Sequence, residues 1–148
     1  MSTIQEQILS RLEVVLARVK DTDGRTYRSR QESVPRVESP AIIFEPISCI
    51  LSEPYTTPHL VWNMNVRFTI VSRPDEVGGA PEKAADAILN DMHTKIMGDS
   101  TLETTLCISI YPRSINFQFQ EGDNNAVVII CDYEFQFRTS LSDLSSVN

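Results

Sequence analysis

The chain has 148 residues and carries 20 acidic against 13 basic side chains, a net charge of −7. At this size one compact domain buries enough surface to stand without disulfide or metal staples. The acidic balance argues against a general nucleic-acid binder, whose affinity comes from neutralising phosphates, and against docking on anionic membranes. The longest apolar runs, Ala41 to Phe44 and Ala126 to Cys131, are too short to cross a bilayer. Residues Met1 to Glu6 lack the basic start and apolar centre of a secretory signal, so a cytoplasmic location is expected.

From Ser2 to Lys20, Ile4, Ile8, Leu9, Leu12, Val15, Leu16 and Val19 recur at steps of three and four and predict an amphipathic helix. Thr3 and Glu6 have capping-box spacing at its start. Residues 21–39 are polar and aperiodic and read as a long basic loop. A strand region follows from Pro40 to about Ser52, with prolines where an edge or a bulge would tolerate them. After a turn at Glu53 to Pro58, Leu60 to Val71 alternates strictly between apolar and mostly polar positions, the clearest strand of the chain. Ser72 to Ala80 reads as a loop, and Pro81 suits the first position of a helix. That helix carries Ala84, Ala85, Ile88, Leu89, Met92 and Ile96 on one stripe and is capped by Gly98. Thr105 to Tyr111 and Ser114 to Gln120 are strand-like about Pro112, where the inward parity changes and a bulge or bend is expected. Glu121 to Asn125 is a turn, Ala126 to Thr139 a long strand, and residues 140–148 a serine-rich tail expected to fray.

Two amphipathic helices need a surface to cover, and four long strands with one apolar face supply it. The expectation is an α+β fold of one domain over residues 1–148, with two helices packed on one face of a mainly antiparallel sheet of four or more strands in the order α-β-β-α-β-β. The other face would carry Asn63, Asn65, Arg67, Gln118, Gln120, Glu134 and Gln136, with Arg138 on the same side of the last strand.

Signatures of catalysis are mostly absent. Gly78-Gly79-Ala80-Pro81 could present amides to an anion, but Asp75 and Glu76 beside it would repel phosphate. His93 lies one turn from Asn90 and two from Asp86; without a partner nucleophile it reads as a solvated histidine on the polar face of its helix. Cys131 and Asp132, as adjacent strand residues, point to opposite faces. Trp62 could mark a ligand pocket, yet its alternation makes it a core residue. The three cysteines, Cys49, Cys107 and Cys131, sit in apolar runs and read as inert buried thiols. With only His59 and His93 as imidazoles, no metal site is expected.

Charge is distributed unevenly. Arg11 to Arg36 holds seven of the thirteen basic residues, whereas residues 37–148 carry 15 acids and 6 bases. The segment with Arg25, Arg28, Arg30 and Arg36 could touch nucleic acid with Tyr27 stacking, could dock on the acidic remainder of a neighbouring copy, or could be a solvated loop.

The leading helix, the arginine-bearing loop, Ser39-Pro40-Ala41-Ile42-Ile43-Phe44-Glu45-Pro46, the long alternating strand, the second helix, Gly98-Asp99-Ser100-Thr101-Leu102 and the closing Tyr133-Glu134-Phe135-Gln136-Phe137-Arg138-Thr139 together resemble tailed-bacteriophage tail terminator proteins, also called tail completion or minor tail proteins. The resemblance implies an α+β subunit that forms a ring, typically a hexamer, on the head-proximal end of the tail tube, stops its polymerisation and offers a surface for joining the head. It implies no catalysis and no cofactor. The implied partners are other copies of the chain, the tail tube protein and the head-tail connector protein, with no membrane and no sequence-specific nucleic acid. The protein would act in the host cytoplasm during assembly and then in the virion tail. Ring contacts would use Arg25, Arg28, Arg30 and Arg36 together with the polar sheet face of Asn63, Asn65, Arg67, Glu134 and Arg138. The alternative is a small bacterial ligand-binding or adaptor domain with the same layered fold, and an enzyme with an unrecognised site is a distant third.

Overall fold

The computed structural model describes residues 2–34, 40–52, 59–73, 81–98, 106–120 and 126–146. Helix α1 (Ile4–Leu16) begins where Thr3, in extended conformation, accepts a hydrogen bond from the Glu6 amide at 3.1 Å, satisfying one of the free donors of the first turn. The chain leaves α1 through a turn in which Asp21, Asp23 and Gly24 all adopt positive φ. A short strand, β1 (Thr26–Arg28), comes next, then β2 (Ala41–Leu51) and β3 (His59–Ser72). Helix α2 (Pro81–Gly98) precedes β4 (Ser109–Gln120) and β5 (Ala126–Ser140).

The five strands form one sheet in the order β1-β2-β3-β5-β4. β1 runs parallel to β2, and the other three pairings are antiparallel. The element order is therefore α-β-β-β-α-β-β and the sheet is mixed, which corrects the expected α-β-β-α-β-β. The extra strand lies inside the 21–39 segment read as loop. At three residues it is too short to show alternation, and it is held by backbone bonds from Ile42 to Arg25 and from Ser29 to Phe44 on either side of the paired residues. Register shifts at Pro46/Ser48 and at Pro112/Ser114 place a bulge beside each proline, where the missing donor does least harm to the ladder.

Both helices cover one face of the sheet. Ile8, Leu12 and Leu16 of α1 and Ile88, Met92 and Ile96 of α2 share a single core cluster with the alternating inward residues of β3 and β5. Phe68 sits at its centre, stacked on Phe44 at 6.1 Å between ring centroids and edge-on to Tyr133 at 5.3 Å. Asp91 of α2 ties the turn after α1 to that helix by accepting the Lys20 amide at 2.7 Å, and within α2 it accepts the Lys95 ammonium at 2.9 Å. The Lys20 amide, with Lys95 beside it, holds the Asp91 carboxyl below the usual range. Ala84, expected on the buried stripe of α2, is exposed, because the stripe is centred on Ala85 and Ile88.

The expected frayed tail is instead a folded turn over residues 141–146. Ser140 donates to and accepts from Asp143, Ser140 N–H reaches the Ser146 carbonyl, and the Leu144 carbonyl accepts the Ile4 amide at the start of α1. Arg36, Gly78-Gly79, the turns at 53–58 and 121–125 and the segment Asp99 to Leu102 lie outside the described residues. No helix among the described residues is long and apolar enough to cross a membrane.

Candidate functional site

Arg25, Arg28 and Arg30 of the basic segment are engaged within their own chain. Arg28, the last residue of β1, reaches across to α1 and grips the Glu6 carboxylate with both terminal nitrogens, at 2.7 and 2.5 Å, and contacts Glu13 at 3.4 Å. Glu6 and Glu13 lie two helical turns apart and so share a face. Hydrogen bonding to Arg28 lowers the Glu6 pKa, and the same contact raises that of Arg28. Arg25 donates from Nε to the Pro40 carbonyl and pairs with Asp23, and Arg30 lies over the Tyr27 ring at 4.4 Å. The segment is thereby a strapped edge of the sheet.

On the sheet face away from the helices, residues directly opposite one another in register are bonded to one another. Gln136 donates to Asn63 at 3.2 Å, Asn65 to Ser48 at 3.0 Å, and Arg67 grips both oxygens of Asp132. Arg113, on the β4 bulge, pairs with Glu134. Arg138 is exposed near the end of β5. The structure thus brings Asn63, Asn65, Arg67 and Glu134 into one ordered polar surface and leaves the arginine segment on the β1 edge.

Sequence reasoning missed a third surface. Ile115, Phe117 and Phe119 of β4 pair with Cys131, Ile129 and Val127 of β5 and so point to the helix-covered side. Their partners are fully buried, yet these three are 48%, 50% and 61% exposed. Residues 111–119 are exposed on both faces. β4 is also the edge strand, and its outer side has no strand neighbour among the described residues. The alternating pattern of 114–120 was legible, but an edge strand and a central strand alternate alike.

Between α2 and β4 lies an open cleft of about 400 Å³ lined by Asp86, Asn90, His93, Leu89, Ile115 and Tyr133. His93, expected to be solvated, is part-buried with Nδ1 2.6 Å from the Tyr133 hydroxyl. Burial raises the pKa of Tyr133, which stays a neutral phenol bonded to the imidazole. Trp62, partly buried as a core residue would be, donates from Nε1 to the Thr139 hydroxyl and also lines a small cavity with Cys49, Phe137 and Leu144. Among the described residues no group of three His, Cys, Asp or Glu gathers as a metal site.

The cysteines divide into two kinds. Cys107 and Cys131 are buried, and burial pushes the Cys131 thiol up to about 12. Cys49 is only half-buried, with its pKa raised by burial. Native-state titration with a thiol reagent should therefore find one slowly reacting thiol, absent in Cys49→Ala, and two more only after denaturant is added. Rapid labelling of Cys131 under native conditions would contradict its placement in the core.

No known protein family and no curated protein matches the sequence.

Proposed function

We propose that the protein is a virion assembly subunit of the tail terminator kind, forming a closed homo-oligomeric ring that caps the tail tube, halts its growth and offers the head-joining surface. The observation that carries this reading is β4. It is a twelve-residue edge strand, exposed on both faces along 111–119, with Ile, Phe and Phe in its uncharged 114–119 half. Such a strand is a template for pairing; Pro112, Arg113 and their bulge guard its first half, and no charge or proline guards 114–119. A ring covers it in every subunit. The separation of charge between the arginine-bearing end and the acidic remainder also suits contacts in which one subunit's front meets the next one's back. The function is mechanical and involves no catalytic step.

Light scattering and negative-stain images over a range of concentrations, with and without purified phage tail tubes, test the reading. Rings of uniform size that seat on tube ends are the expected result. A protein that stays monomeric throughout and never caps a tube would overturn it. The α2–β4 cleft favours a second reading, a small ligand-binding domain. That reading requires a metabolite that raises the melting temperature by binding the native state.

A further inference from the structure

Eleven large apolar side chains of the described residues are exposed, and eight of them lie at two places: Ile108, Tyr111, Ile115, Phe117 and Phe119 on or just before β4, and Ile47, Ile50 and Leu51 at the end of β2. These places are the two open edges of the sheet. β4 ends the strand order on one side. On the other, β1 covers only Ile42, Ile43 and Phe44, so the side of Glu45 to Leu51 away from β3 has no strand neighbour among the described residues.

We infer that the contact between successive subunits joins the outer edge of β4 in one copy to the uncovered half of β2 in the next. This inference rests on the ring reading above and supplies its interface. Strand direction permits it, because three antiparallel pairings separate β2 from β4 and the two run in opposite senses. A copy placed beside another with its sheet continued therefore brings these edges together as an antiparallel pair. The uncovered half of β2 lies level with the first half of β4, and the uncharged residues of β4 lie at the other end. Pairing them requires a stagger along the strands, which closed sheets accommodate by tilting their strands.

Area supports a second copy as the occupant. With roughly 180 Å² for a large apolar side chain, the β4 group leaves about 450 Å² in water and the β2 group about 270 Å². A stable interface of about 1,600 Å² that is somewhat over half apolar needs about 900 Å² of such surface, and the two groups together supply most of it. A two-fold contact of β4 with β4 would bury the first group of both copies, about 900 Å², so area alone does not separate the two; it would leave the second group in water and stop at two copies, which a ring does not.

Two variants test the contact. Phe117→Asp alters only the β4 edge and Ile50→Asp only the β2 edge, and both positions are at least half exposed, so the fold should survive. Each variant alone is expected to lose rings and higher oligomers, with the contact weakened at least about thirtyfold, as for an interface hot spot. Mixed in equal amounts, they should form a one-to-one dimer and nothing larger, because the pair retains one intact β4 edge and one intact β2 edge. Should either variant lose its cooperative unfolding transition, Phe117→Gln with Ile50→Thr makes the same comparison.

Rings in either variant, or a mixture that stays monomeric, would overturn this interface while leaving the ring reading intact. If wild type stops at a dimer that Ile50→Asp keeps and Phe117→Asp loses, the contact is β4 on β4 and both this interface and the ring reading fall. A wild type that never forms rings would remove the ring reading itself, and this interface with it.

Discussion

Phe68→Ala is expected to destabilise the protein by about 3–5 kcal/mol, the range for removing a fully buried aromatic ring from a core that cannot collapse around the gap. Phe68 is completely buried at the middle of β3, with Phe44, Tyr133 and Phe135 around its ring. Urea unfolding should show the midpoint fall while the slope stays constant, since the surface exposed on unfolding barely changes. Phe117→Ala deletes the same atoms from the same sheet and the same face. It is half exposed, so its cost in the monomer should stay within about 0.5 kcal/mol. A Phe68→Ala cost below about 2 kcal/mol would contradict the central packing. The pair of substitutions also separates the packed centre of the inner face from the exposed 115–119 stretch of β4, the strand's core contribution coming from Ile110.

The long elements were legible because their periods are strong. Leu60 to Val71 alternates throughout and Cys131 to Thr139 alternates after the apolar run from Ala126, and the structure pairs the two strands residue by residue from His59 with Ser140 to Ser72 with Val127. Both helices were legible from their stripes, and both bulges from their prolines. What stayed hidden depends on contacts between residues far apart in sequence. β1 is three residues long, and Thr26-Tyr27-Arg28 carries no periodic signal. Arg28 finds Glu6 across 22 residues, and nothing in the local pattern distinguishes it from a solvated arginine. The position of β4 at the edge follows from strand order, which alternation does not encode. His93 looked solvated because its partner Tyr133 is 40 residues away on β5. The candidates Asn63, Asn65, Arg67 and Glu134 thus share the face away from the helices, Glu134 being buried there, whereas the apolar edge emerges only once the strands are ordered.

Arg28→Glu is expected to cost about 1–2 kcal/mol at neutral pH, because it removes a bidentate ion pair and puts a third carboxylate beside Glu6 and Glu13. From sequence alone, reversing Arg25, Arg28 and Arg30 would be read as a surface change that spares the fold. In the structure Arg28 fastens β1 to α1, so its reversal acts on the fold as well as on any assembly. The pH dependence identifies the cause. Glu6 has its pKa lowered chiefly by the hydrogen bonds from Arg28. A carboxylate held below its ordinary 4.5 contributes stability that is present above that value and is lost as the pH falls through the lowered one. Wild type should lose this contribution on acidification, and the variant has none to lose. Its new repulsion also fades once the carboxyls are protonated, so the difference between the two proteins should shrink between pH 7 and pH 3. Glu6 is partly open to water, which keeps the effect modest and makes it weaken with added salt. The double exchange Glu6→Arg with Arg28→Glu should recover part of the loss, whereas Arg138→Glu, exposed near the end of β5, should change stability by no more than about 0.5 kcal/mol. Equal costs at pH 7 and pH 3 would mean that Arg28 acts through the packing of its stem instead of its charge. In that case Arg28→Met, which keeps the stem and drops the charge, would be nearly neutral, whereas the ion pair predicts that it loses about half of what Arg28→Glu loses.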